Sequence, residues 1–149
     1  MIRRVLVIAT ALAFLAVPGI ARADHSLVVS TDQKAYLLSS TQLRVTGTLT
    51  CIGQGETGSI GVVVVPIGSV AQAGGGSTSF SCEAGETLTW NVLVDANSFS
   101  TFSKGRIVYD TFAHTSCSDE ESDCPSAGDQ GILKVKRLAH VRGADPREM

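Results

Sequence analysis

The stretch Leu43-Arg-Val-Thr-Gly-Thr-Leu-Thr-Cys51 alternates in character: Leu43, Val45, Leu49 and Cys51 are apolar, while Arg44, Thr46, Thr48 and Thr50 are polar. Successive side chains on a strand point to opposite faces, so this pattern is that of a half-buried β-strand. Cys51 is aimed into the core that the other strands share, and the threonine face is aimed at water. A chain that carries such a strand must supply further strands to cover its apolar face.

Those strands can be read on both sides of it. Ser26–Ser30 is a short first strand, extended by Tyr36–Leu38 after a turn at Asp32-Gln33-Lys34. Ser59–Val65 contains four consecutive valines, a pattern of burial on both faces or of a partly apolar edge, and Pro66 ends it because proline cannot donate to a ladder. Gly68–Ser79, with Gly74-Gly75-Gly76 at its centre, reads as a flexible connection that leads into Thr78–Cys82. Leu88–Asp95 alternates again and puts Trp90 on the apolar parity, where a large aromatic serves the core. Arg106–Ala113 and Gly131–Leu138 complete a set of about seven strands. No sustained 3.6-residue period occurs after the first segment. The expected fold is all-β: an antiparallel immunoglobulin-like β-sandwich of about seven strands.

Residues 1–23 read as a signal peptide. Arg3 and Arg4 precede an apolar run from Val5 to Val17, Pro18-Gly19 breaks it, and Ala21-Arg22-Ala23 suits peptidase cleavage after Ala23. The apolar run is too short to span a bilayer as a helix, and no membrane span is expected after cleavage. The expected location is extracellular or periplasmic. Residues 24–138 are read as one sandwich domain and residues 139–149, with Gly143, Pro146 and mixed charge, as a disordered tail. Removing Arg3, Arg4 and Arg22 from the 12 basic residues leaves 9 against 14 acidic ones, a formal charge of −5. That balance argues against a nucleic-acid partner, whose phosphates require a clustered basic face. The basic run Lys134, Lys136 and Arg137 is read as the solvent face of one strand.

Cys51, Cys82, Cys117 and Cys124 all follow the cleavage site, and an exported chain meets an oxidising compartment. Two disulfides are therefore expected. Three pairings are possible; the short turn between Cys117 and Cys124, and the β-like runs beside Cys51 and Cys82, favour Cys51 with Cys82 and Cys117 with Cys124. The chain-entropy estimate gives roughly 3.7 kcal/mol for the longer loop and roughly 2.5 kcal/mol for the shorter. A structural zinc site would need close CxxC-type spacing, which is absent.

Between Leu43 and Ala113 the order of features is a strand ending in Cys51, a glycine-rich turn, Cys82, Trp90, and Gly105 before another strand. In this the chain resembles the small secreted immunoglobulin-like domains of bacteria, although Trp90 follows both Cys51 and Cys82 instead of lying between them. Cys117 and Cys124 also give it a weaker similarity to the neocarzinostatin-type apoproteins, two-disulfide sandwiches with a short cysteine-bracketed loop late in the chain. That similarity implies a small-molecule, chromophore-type carrier.

Cys117-Ser-Asp-Glu-Glu-Ser-Asp-Cys124 concentrates Asp119, Glu120, Glu121 and Asp123. Calcium needs six to eight oxygens, and the spacing matches no EF-hand, so the loop is read as hydrated, with weak calcium binding as the alternative if a residue such as Asp129 completes a shell. His114, beside Ser116 and Cys117, is the residue on which a hydrolase would depend, but no nucleophile-elbow or papain-like context surrounds it. His25 lies second after the expected cleavage, whereas the tight amino-terminal copper site wants histidine third. Gly74-Gly75-Gly76 lacks the Lys-Ser/Thr and the helix of a phosphate loop. The expectation is a non-catalytic binding or structural module, without cofactor, whose partner is an extracellular protein, a glycan or a small molecule. Peptide mapping of the unreduced protein should return Cys51 with Cys82 and Cys117 with Cys124; a bond from Cys51 to either late cysteine would overturn the assignment of neighbouring strands.

Overall fold

The protein's structure, a computed structural model, describes residues 25–116 and 124–138. The expected signal segment, most of the acidic loop (residues 117–123) and the expected tail lie outside these residues. Within them are seven strands and no helix: β1 (Ser26–Ser39), β2 (Gln42–Ile52), β3 (Glu56–Pro66), β4 (Gly74–Cys82), β5 (Thr87–Ala96), β6 (Gly105–Thr115) and β7 (Ser126–Arg137).

The all-β expectation holds, but the sheet closes on itself in the order β1-β2-β5-β4-β3-β6-β7. Purely antiparallel pairing is also corrected, since β1 and β7 run parallel over Lys34–Leu37 and Lys134–Arg137. The cause lies in β1. Asp32-Gln33-Lys34, expected as a turn between two short strands, is instead an irregularity within one strand, where Thr31 opposes Gly47 and Ala35 opposes Val45. Four steps along β1 thus match two along β2. Such an insertion bends the strand and strengthens its twist, which carries its second half onto β7 while it still pairs with β2.

The interior is built by parity. Leu43, Val45, Leu49 and Cys51 of β2 are fully buried, as are Ile60, Val62 and Val64 of β3 and Val94 of β5. Val63 and Val65 are only half buried, so the four-valine run is one core parity and one partly covered outer parity on a strand paired on both sides. Gly47 takes the remaining inward position of β2. An added Cβ there would collide with the indole of Trp90, its cross-strand partner, and with the Ser30 carbonyl. The same pairing of an aromatic ring over a cross-strand glycine recurs at Phe112 over Gly61 and Tyr109 over Gly131. Each ring covers backbone that glycine leaves bare.

Cys51 and Cys82 form a disulfide with Cα atoms 6.3 Å apart. Both are buried, and they sit on strands that are not hydrogen-bonded neighbours, so the bond crosses the interior. Ring closure depends on β4 meeting β5, and only two residue pairs do so, Gly74 with Ala96 and Gly75 with Asp95. Gly74-Gly75-Gly76 is therefore no linker. A Cβ on Gly74 would strike the Asp95 carbonyl oxygen, and one on Gly76 would strike that of Leu93. The backbones approach so closely that no side chain fits between them. Gly76→Ala should destabilise the fold by about 1–3 kcal/mol, the usual range for forced overpacking. Gly128→Ala, where an added Cβ meets only ordinary contact with Thr111, is the control and should be near neutral in denaturant unfolding.

Candidate functional site

Beyond Gly76 the two strands part. β5 keeps its full ladder to β2, and β4 keeps its full ladder to β3, but neither pairs with the other over residues 77–82 and 87–94. The opening is bounded at one end by the glycine seam and at the other by the disulfide at Cys82. Five residues from Ser77 to Ser81 at about 3.4 Å each give it a length of roughly 17 Å. A cleft of about 710 Å³ follows this margin.

Its walls take residues of both parities from β4 and β5. Phe80 of β4 and Trp90 of β5 are aromatic members, and Ser79, Thr89 and Asn91 bring polar groups. Asp32, displaced outward by the irregularity in β1, also reaches the cleft, where its Oδ2 accepts a hydrogen bond from Thr46 Oγ1. Trp90 is buried as expected, at 6% exposure, yet its indole Nε1 has no acceptor among the described residues. A buried donor left without a partner costs about 1–3 kcal/mol. The mixture of hydroxyls, one amide and two aromatic rings around unpaired backbone suits recognition by hydrogen bonding and apolar contact. No composition signal marked this cleft. Only the triple glycine, followed by Ser-Thr-Ser-Phe-Ser, stands at its border.

The residues singled out from sequence are scattered. His114 lies on the outer face of β6, opposite Ser59 of β3, and the Ser59 Oγ to His114 Nε2 distance is 3.0 Å. Its ring stacks on Phe112 with centroids 6.4 Å apart and planes 13° from parallel. Ser59 was not foreseen as the partner, because it is 55 positions away and only the β3–β6 register brings it there. Ser116, the neighbour in sequence, instead gives its backbone N–H to the Thr57 carbonyl. His25 is half buried before β1, and Lys134, Lys136 and Arg137 are exposed on β7. Cys124 is exposed and disulfide-bonded; its expected partner Cys117, together with Asp119, Glu120, Glu121 and Asp123, lies outside the described residues. Among the described residues no group of three or more His, Cys, Asp or Glu side chains could hold a metal.

Asp129, considered as an outside ligand for the acidic loop, serves the fold. Its Oδ2 accepts from the Thr31 backbone N–H at 2.7 Å and from the Tyr109 hydroxyl at 3.0 Å, and Thr31 Oγ1 donates to Thr111 Oγ1 at 2.9 Å. These bonds tie β1, β6 and β7 together under the ring. Burial, and then the bond to and charge of Asp129, raise the Tyr109 hydroxyl above its ordinary pKa of 10.0, against a smaller lowering from Thr31.

No protein-family model and no curated protein matches the chain. Among solved structures it is similar to a β-glucuronidase from glycoside hydrolase family 2, with a TM-score of 0.49 and 9% identity over 73% of this chain and 12% of that one. It is also similar to the Bifidobacterium adolescentis GH3 β-glucosidase, with a TM-score of 0.45 and 16% identity over 82% of this chain and 19% of that one. The chain thus spans less than a fifth of either enzyme, and a likeness this distant assigns no activity.

The folded state holds the Tyr109 proton more tightly than the unfolded chain does. This contribution to stability is complete below pH 10.0 and is lost as the pH rises through the higher folded value. Melting temperature should accordingly fall in that alkaline window, and Tyr109→Phe, although less stable at neutral pH, should show a flatter decline. An equally steep decline in the variant would exclude Tyr109 as its source.

Proposed function

We propose that this is a non-catalytic binding module with an immunoglobulin-like sandwich architecture, and that its site is the cleft between β4 and β5. Three features support the sandwich reading: the ladder β1-β2-β5, the ladder β4-β3-β6-β7, and a disulfide that joins β2 of the first to β4 of the second. Among the described residues, strands of the two ladders pair with each other only at the short β4–β5 seam and the parallel β1–β7 pair.

One observation carries the binding reading: two unpaired strand edges face each other across a cleft whose ends are held shut. An exposed edge is a row of backbone donors and acceptors ready for another strand. An extended peptide segment of about five residues would pair with that row, and its alternate side chains would meet Phe80 and Trp90. The hydroxyl-rich walls would also suit a glycan or small molecule, so the test must separate these classes.

A second reading rests on the Ser59–His114 pair. A base 3.0 Å from a hydroxyl is the geometry of nucleophile activation. The pair lies on an open outer face, however, and no third group among the described residues bonds the other ring nitrogen, so the binding reading is preferred.

Selection of a displayed random peptide library on the purified chain, in parallel with a glycan array and a small-molecule panel, tests the choice. Peptides with alternating apolar residues should be recovered and should slow amide exchange in residues 77–81 and 87–93. Glycan or small-molecule binders without peptide binders, or peptides that protect other segments, would overturn the proposed ligand. Hydrolysis in an ester, peptide and glycoside panel that disappears in both Ser59→Ala and His114→Ala would overturn the non-catalytic reading.

A further inference from the structure

One end of the molecule combines two features that rarely coexist without cause on a water-facing surface. The first is apolar. Val70 and Phe99 are completely exposed, at 102% and 100%, and Ile67 is 53% exposed. They stand on the loop of residues 67–73, between β3 and β4, and on the loop of residues 97–104, between β5 and β6. The two loops are braced against each other: Asn97 donates its backbone N–H to the Ala73 carbonyl at 2.9 Å and its side-chain amide to the Gln72 carbonyl. Each loop is also held from within, by Ser69 N–H to the Pro66 carbonyl and Ser100 N–H to the Asn97 carbonyl, and buried Phe102 anchors the second to Ser40. The exposed side chains are therefore presented on a fixed platform.

The second feature is charge. Six of the seven lysines and arginines among the described residues, Lys34, Lys104, Arg106, Lys134, Lys136 and Arg137, lie on β1, β6, β7 and the last position of the 97–104 loop at this same end. Lys134 opposes Lys34 on one side and Arg106 on the other. Five of the six border one hollow of about 820 Å³. None of these side chains has a hydrogen-bond or ion-pair partner among the described residues. This concentration runs against the acidic balance of the whole sequence. Register joins the two features, since Pro66 at the start of the first loop pairs with Ile107, and Gly105 at the end of the second pairs with Val135. Ile67, Lys104 and Arg106 line one small cavity of about 150 Å³.

We infer that this end is a docking surface for an anionic phospholipid membrane. Clustered cations next to a bilayer are drawn to its acidic headgroups, and apolar side chains on loop tips gain by entering the boundary between headgroups and acyl chains. A soluble polyanion would explain the cations but would give Val70 and Phe99 nothing. A purely apolar partner would leave the cations unmatched. The attachment is peripheral and reversible, made by loops and strand ends, and it leaves the β4–β5 cleft to its own ligand.

The purified full chain, as the expressing cell processes it, should co-sediment with vesicles of equimolar phosphatidylcholine and phosphatidylglycerol and not with vesicles of phosphatidylcholine alone. Added salt should weaken the binding. The pair Lys134→Gln and Lys136→Gln should weaken it by about thirtyfold, from two headgroup attractions lost. Val70→Ser with Phe99→Ser should abolish it while leaving circular dichroism and melting temperature unchanged, because both side chains are fully exposed. Phe99→Trp supplies a direct readout, with blue-shifted emission expected on anionic vesicles relative to the parent. Equal binding to both vesicle types, no emission shift, or capture by dextran sulfate without vesicle binding would overturn the inference.

Discussion

The closing contact between β4 and β5 is the constraint on which the architecture turns. All seven strands can be laid side by side through six other pairings, but the ring shuts only where two backbones touch with no side chain between them. Gly74 and Gly76 allow that touch, because the carbonyl oxygens of Asp95 and Leu93 occupy the space a Cβ would need. Past Gly76 the residues carry side chains and the strands separate. Closure and opening are thus two consequences of one local composition, and the cleft exists because the seam is short. The disulfide at Cys82 sets the far limit of the opening by holding the end of β4 against β2.

A ring of seven strands around a filled interior still has to satisfy its backbone and its few buried polar groups. The bend in β1 is the place where both needs meet. Thr31, just before the irregularity, enters the interior and bonds to Thr111, while its backbone N–H is taken by Asp129. Asp32, the next residue, turns outward to Thr46. Displacing the strand allows its second half to pair with β7 in parallel, so the protein gains a second closing contact by distorting one strand and not by adding another. Polar groups that would be costly if orphaned act here as ties among three strands.

The proposed functions rest on what the same geometry leaves unpaired. The unsatisfied backbone edges lie on the flank between β4 and β5, the exposed apolar loop tips and unpaired cations lie at one end, and the Ser59–His114 pair lies on an outer face. These are three separate surfaces with different chemistry. The binding proposed for the flank and the attachment proposed for the end would use separate surfaces.

Alternation by itself determined much of this protein. The parity of Leu43 to Cys51 placed the apolar side chains and the cysteine inward, and the parity of Leu88 to Val94 did the same for Trp90, because a strand offers only two faces. Pro66 ended its strand for want of an N–H. What alternation could not specify was which strands become neighbours, since every half-buried strand has the same period. Tertiary structure therefore decided that Asp32-Gln33-Lys34 is a bend within β1, that Gly74-Gly75-Gly76 is a seam, that Ser59 meets His114, and that cations distant in sequence share one end. Each depends on contacts between residues far apart along the chain, where local pattern carries no information and only the packing of one backbone against another selects the outcome.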